Sequence, residues 1–247
     1  TAQLIRADDG FHVWSQNYDR TLEDIFAIQD EITGRVVSQL SDLFTDINFK
    51  TKRRSYTPNP LAYDYYIKGR AQRIPPTPGN LKAAFESFNK AIEIDPKNEF
   101  ALMRLGVVHY LAGDVDNANR YLTEAEKVNS QYKWTYLWRG VIALEQREQI
   151  TSVRNWIEKA IAVDPKFDLA YYNLAWAQLK EKPKNYTEAE KNFRRALELN
   201  PSYKEAYYGL GMVFGYQKQY ELSDQYLSRA LELDEQYLTA YKWRGIV

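Results

Sequence analysis

The sequence predicts an all-α protein of stacked helix pairs, preceded by a short β-hairpin and one further helix. Three observations predict it. Ala91, Ala125, Ala160, Ala196 and Ala230 recur at intervals of 34, 35, 36 and 34 residues. Three residues before each stands Phe88, Leu122, Ile157, Phe193 or Leu227, and five residues after it Pro96, Ser130, Pro165, Pro201 or Glu235. Upstream, Gly69, Gly106, Gly140, Ala175, Gly211 and Gly245 share one further position. Apolar residues three or four apart mark one face of a helix, and a proline ends it. A small residue on the partner helix lets the two approach closely. A period near 34 is the signature of a repeat array.

The stretch Tyr186–Pro201 shows the second helix of a pair. Ala189, Phe193, Ala196, Leu197 and Leu199 recur at helical spacing, charged residues fill the other face, and Pro201 stops it. Short turns such as Gly113-Asp114 and Lys182-Pro183-Lys184-Asn185 join the two helices of a pair. Repeats are expected at 62–98, 99–132, 133–167, 168–203 and 204–237, with a partial sixth at 238–247.

Ahead of them, residues 1–44 read as part of an α/β domain. Thr1–Asp8 and Phe11–Asn17 are strand-like around the turn Asp9-Gly10, a register that sets Ile5 opposite Trp14 and Ala7 opposite His12. Residues 22–44 form an amphipathic helix, capped by Thr21 and striped by Ile25, Ile28, Ile32, Val36 and Leu40. Residues 45–61 lose this periodicity, carry Lys50, Lys52, Arg53 and Arg54, then Pro58 and Pro60, and read as an exposed linker. The chain opens within a strand and closes within a helix, which reads as a segment of a longer protein.

Composition narrows the function. Lysine plus arginine equals aspartate plus glutamate at 33 each, so nucleic-acid binding, which draws on a basic excess, is not expected. No run of 18 apolar residues could span a membrane, and the compartment stays open. Without cysteine there is no disulfide framework or thiolate metal site. His12 and His109 are the two histidines, one on a strand and one inside a repeat helix. Gly209, Gly211 and Gly215 lack the spacing and the preceding strand of a dinucleotide loop. Asp114 and Asp116 fit an inter-helix turn better than a metal site. The chain is therefore expected to be no enzyme and to use no metal and no cofactor.

The repeat pattern resembles the tetratricopeptide repeat (TPR). Tyr171, Leu174, Ala189, Phe193, Ala196 and Pro201 match its offsets in one copy, and Tyr207, Leu210, Gly211, Leu227 and Ala230 in the next. Val153 and Ser223 depart from its preferred alanine, and Lys68, Arg139 and Arg244 from its leucine. The stretch Thr1–Arg20 followed by Asp24–Ile32 resembles the end of a TolB amino-terminal-like domain. That domain precedes such repeats in bacterial adenylate cyclases, kinases and winged-helix regulators.

The first resemblance implies a right-handed superhelix whose concave face is lined by positions 2, 5, 9 and 12 of each repeat. Carried onto this sequence, the partner-binding residues expected there are Tyr66, Phe100, Met103, Tyr110, Trp134, Tyr172, Trp176 and Tyr208. Val107, Val141 and Leu144 fit either that groove or inter-repeat packing. The implied function is a non-enzymatic scaffold that holds a peptide or partner protein. A regulatory segment of a larger bacterial signalling protein is the second reading. Self-association through the hairpin or the partial sixth repeat is the third.

Overall fold

In the computed structural model the described residues are the backbone of the strands Ala2–Ile5 (β1) and His12–Gln16 (β2) and residues 59–246. β1 and β2 pair antiparallel, Ala2 with Gln16, Gln3 with Ser15, Leu4 with Trp14 and Ile5 with His12. This corrects the expected register: Trp14 faces Leu4, and an irregularity between Leu4 and Ile5 carries His12 opposite Ile5. An extra residue on one strand shifts every pairing beyond it. The turn at Asp9-Gly10, the helix over 22–44 and the linker up to residue 58 lie outside the described residues.

Eleven helices follow among the described residues, and the chain divides into two units, 1–101 and 102–247. Unit 1 holds α1 (Pro60–Gln72), α2 (Pro78–Ile94) and the first residues of α3 (Glu99–Leu111). α1 begins inside the stretch read as linker, because proline is tolerated at the first helical position and Asn59 caps the helix. The Asn59 side chain accepts from the backbone N–H of Leu61 and Ala62 at 2.9 and 3.3 Å. Phe88, fully buried, packs against Tyr66.

Unit 2 holds the rest of α3, then α4 (Val115–Val128), α5 (Lys133–Glu145), α6 (Ile150–Val163), α7 (Asp168–Lys180) and α8 (Tyr186–Leu199). It closes with α9 (Lys204–Tyr216), α10 (Tyr220–Leu233) and α11 (Leu238–Arg244). Within unit 2, α5, α7 and α9 each pack on their own second helix, and α7 touches both α5 and α9, so these three lie side by side. The core runs along the pair interfaces through Val153, Ile157, Phe193, Leu210 and Leu227, all fully buried.

Three of the five unusual residues of the pattern have a local reason. Ser223 is fully buried and donates its hydroxyl to the carbonyl of Gly211 at 2.7 Å, so a polar group fits the alanine position. Arg139 lies over the Trp156 ring at 4.6 Å, donates to the Thr123 hydroxyl at 2.7 Å and pairs with Glu126 at 3.2 Å. It thus fills a leucine position with its stem while its charge is met at the edge. Arg244 grips Asp224 at 2.5 and 3.2 Å.

Between repeats a second periodic device appears. Asp95, Asn129, Asp164, Asn200 and Asp234 each end a second helix and accept from the backbone N–H two residues on, at 2.8 to 3.3 Å. This local bond turns the chain toward the next first helix. In unit 2 three of these side chains, Asp164, Asn200 and Asp234, also reach back to an earlier first helix. Lys133 donates to Asp164 at 2.6 Å, Asn200 to Asp168 at 2.9 Å and Lys204 to Asp234 at 2.5 Å. Where the turn residue is Asp the earlier helix offers Lys, and where it is Asn the earlier helix offers Asp.

The Lys133 and Asp164 side chains are 30% and 32% exposed, so their coupling is expected at about 0.5–1 kcal/mol. The hydrogen bond from Lys133 holds the Asp164 carboxyl below the usual range, and Asp234 shifts the same way beside Lys204. A carboxyl whose folded pKa is depressed stabilises above its unfolded pKa and loses that contribution as pH falls through the folded value. A double-mutant cycle of Lys133→Met and Asp164→Asn is therefore expected to show coupling at pH 7 that vanishes well below about pH 4.

Candidate functional site: the first-helix face of unit 2

The first helices of repeats four and five bring their aromatic residues together on one face. Tyr172 and Trp176 are one turn apart on α7, with ring centroids 6.2 Å apart in an edge-on arrangement. Trp176 reaches Tyr208 of α9 at 6.3 Å, and both Tyr172 and Trp176 rest on Phe193 of α8, at 5.9 and 5.8 Å. Tyr203 packs on Tyr172 at 4.9 Å, and Tyr237 meets Tyr208 edge-on at 5.7 Å. Five half-buried aromatic residues thus form one continuous cluster.

Burial sets the chemistry of these phenols. It pushes the Tyr172 hydroxyl up to about 12, opposed in part by the neighbouring Trp176 indole and reinforced by Glu205. Burial also raises Tyr203 and Tyr237, with Tyr172 and Glu205 adding to it, and raises Tyr208. At neutral pH these groups are uncharged O–H donors on apolar rings. Such a set offers contact area and hydrogen bonds to a guest and no base that could activate a nucleophile.

Beside the cluster opens a groove of about 1,060 Å³. Leu179 and Met212, both buried, form its floor with Leu144, and Trp176 and the partly exposed Tyr216 form its walls. Its rims are charged: Glu145 and Glu148 on the α5–α6 side, Lys180, Lys182 and Lys184 on the α7–α8 side.

The expected partner-binding residues divide into groups. Tyr172, Trp176 and Tyr208 come together as described. Trp134 stands apart, edge-on to Phe167 at 4.9 Å, and Tyr110 lies 6.4 Å from Trp138. Tyr66 and Phe100 belong to unit 1, 5.6 Å from each other. Two placements are corrections. Met103 is fully buried and Tyr66 is 5% exposed, so both serve as core and present no surface to a partner. Val107 is also fully buried, whereas Leu144 reaches the groove.

Sequence reasoning misses Tyr203 and Tyr237, since the family positions considered begin only inside each first helix. Their signal is present all the same: Tyr132, Phe167, Tyr203 and Tyr237 recur at intervals of 35, 36 and 34, just ahead of each first helix. His109 and Asp114 have structural partners, with His109 Nδ1 3.0 Å from Asp114 Oδ2 and its ring stacked on Tyr121. Asp114 caps α4 by accepting from the Asn117 N–H at 3.1 Å.

Comparison with known proteins agrees with this architecture. Three tetratricopeptide repeat family models match, over residues 79–98, 100–128 and 184–237. Residues 1–44 fall outside these stretches, so the expected TolB-like relation gains no support from them. A putative adenylate cyclase 3 of Rhizobium meliloti (strain 1021) is 32% identical over 107 residues, 43% of this chain. The human tetratricopeptide repeat protein 6 is 31% identical over 97 residues, 39% of this chain. Each match spans 18% of the relative's own length.

Among solved structures, Pseudomonas aeruginosa pilF is similar with a TM-score of 0.63 at 21% identity, covering 73% of this chain and 79% of that one. A thermophilic TPR protein of Thermus thermophilus gives 0.63 at 16%, covering 75% and 97%. YrrB, described as a TPR protein with an unusual peptide-binding site, gives 0.54 at 14%, covering 84% and 97%. These likenesses concern the fold. Over residues 79–98, 100–128 and 184–237, the chain carries tetratricopeptide repeats.

Proposed function

We propose that this chain is a non-enzymatic interaction module and that unit 2 holds a peptide or a segment of a partner protein on its first-helix face. One observation carries the reading: a groove of about 1,060 Å³ with an apolar floor and the rings of Trp176 and Tyr216 as walls, continuous through Trp176 with the Tyr172–Tyr208 cluster. An open apolar surface of this kind is costly to leave uncovered, and Trp and Tyr are the side chains that concentrate binding energy. The peptide-binding site named for YrrB is a precedent on the same fold.

The test is recovery of cellular partners by the chain and by variants. Trp176→Ala and Tyr216→Ala are each expected to weaken capture about thirtyfold, the equivalent of roughly 2 kcal/mol. Tyr216 is 39% exposed, so its variant leaves the fold intact and isolates binding from stability. Undiminished capture by both variants would sink the assignment.

A second reading is favoured by the adenylate cyclase relative. In it these repeats are the regulatory segment of a larger bacterial signalling protein, with residues 1–44 as the end of the preceding domain. The complete reading frame decides it, because a protein without any effector domain contradicts this role.

A further inference from the structure

We infer that the groove selects an acidic segment: a partner peptide whose apolar side chain enters between Trp176 and Tyr216 while carboxylates beside it meet a lysine rim. This rests on the groove reading above and adds the chemistry of the guest.

The rim is a product of one turn. In unit 2 the turns joining the helices of a pair are three or four residues long, at 112–114, 146–149 and 217–219, except between α7 and α8, where five residues, 181–185, intervene. The extra length raises Lys182 and Lys184 beside Lys180, the last residue of α7, and all three are exposed. Among the described residues no carboxylate forms an ion pair with any of the three. The acid within the turn, Glu181, is already held by Arg154.

Lys184 lies over the Tyr216 ring at 3.7 Å, so the aromatic wall carries a cation of its own and is a poor seat for a second one. Arg147, on the opposite rim, adds a fourth positive charge against the carboxylates of Glu145 and Glu148. The chain as a whole is balanced at 33 charges of each sign, so this surplus is local to the groove. A guest with an apolar anchor and neighbouring carboxylates satisfies both floor and rim. The acidic rim across the groove then fixes which way the guest runs, since reversal would set carboxylate against carboxylate.

The experiment uses the 247-residue chain and two labelled peptides. One carries leucine, phenylalanine and leucine followed by three glutamates; the other has three lysines in their place. Fluorescence anisotropy is expected to show the acidic peptide bound about tenfold more tightly at low salt, with the difference shrinking as salt is raised. Reversing the rim, Lys180→Glu with Lys182→Glu and Lys184→Glu, is expected to abolish or invert that preference. Circular dichroism checks that the variant stays folded.

Equal binding of both peptides, or a preference that survives rim reversal, overturns the inference. If Tyr216→Ala weakens both peptides equally while rim reversal changes nothing, the groove stands and the acidic guest does not. If neither peptide binds, or a short oligothymidylate binds as well as the acidic peptide, the inference is also overturned.

Discussion

Phe193→Ala is expected to remove about 3–5 kcal/mol of stability from unit 2, the range for truncating a fully buried phenylalanine. Phe193 is 0% exposed and sits where three helices meet. It lies on α8, beneath Tyr172 and Trp176 of α7, and its ring tip points at Gly209 of α9. Removing the ring empties a space that belongs to two repeats at once. Two terms then add, the lost burial and the unfilled cavity. A repeat array unfolds by neighbour-to-neighbour coupling, so the loss should break the array at this joint. Urea unfolding is expected to show a lower midpoint. Hydrogen exchange should speed first in α7, α8 and α9. Protection unchanged in those helices would contradict the role given to Phe193.

The second large effect comes from the opposite insult at the same joint. A β-carbon at Gly209 would stand 2.4 Å from the Phe193 ring tip, a distance at which something must shift. The flexible end of a surface side chain could give way cheaply. Phe193 cannot, because its ring is enclosed by Tyr172 and Trp176. Gly209→Val is therefore expected to destabilise by about 3 kcal/mol through overpacking, although most residues suit a helix interior better than glycine. The two sites should couple: with Phe193→Leu in place, Gly209→Val is expected to cost at least about 1 kcal/mol less, the size of contact couplings. A double-mutant cycle in urea measures this. Strict additivity would show that the ring and the glycine do not compete for the same space. The same cycle bears on the site, since Trp176 is positioned by the ring under it.

The aromatic cluster has an alkaline counterpart to these tests. Tyr172 ionises only at about 12, later than an exposed phenol, because its charged form would be buried. In structural terms the cluster is closely packed and neutral, and the open surface lies next to it, at the ends of α5, α7 and α9.

The linear sequence determined the repeats by itself. The spacing of Ala91 through Ala230, with Phe, Leu or Ile three before and proline five after in three of the five copies, leaves a folded chain few options. Each copy cannot bury its apolar face alone and must stack on its neighbours. The small residues also showed their purpose in advance: a β-carbon on Gly211 would stand 2.7 Å from Leu227 of the paired helix. Position within the repeat likewise brought Tyr172, Trp176 and Tyr208 to one face, because a fixed offset on equivalent helices points the same way.

Only the tertiary structure decided which of those side chains are surface. Met103 and Tyr66 hold the same repeat position as the half-buried Tyr172 and Tyr208, yet they are covered. Coverage depends on the size of residues far away in sequence, which periodicity does not encode. The links between Asp164 and Lys133 and between Asn200 and Asp168 span 31 and 32 residues, so their partners become visible only once the repeats are stacked. The lysine rim arose in the same way. Along the chain Lys182 and Lys184 belong to an inter-helix turn and Lys180 precedes it. They gain meaning when the longer α7–α8 turn sets them against a groove whose floor is built from three different repeats.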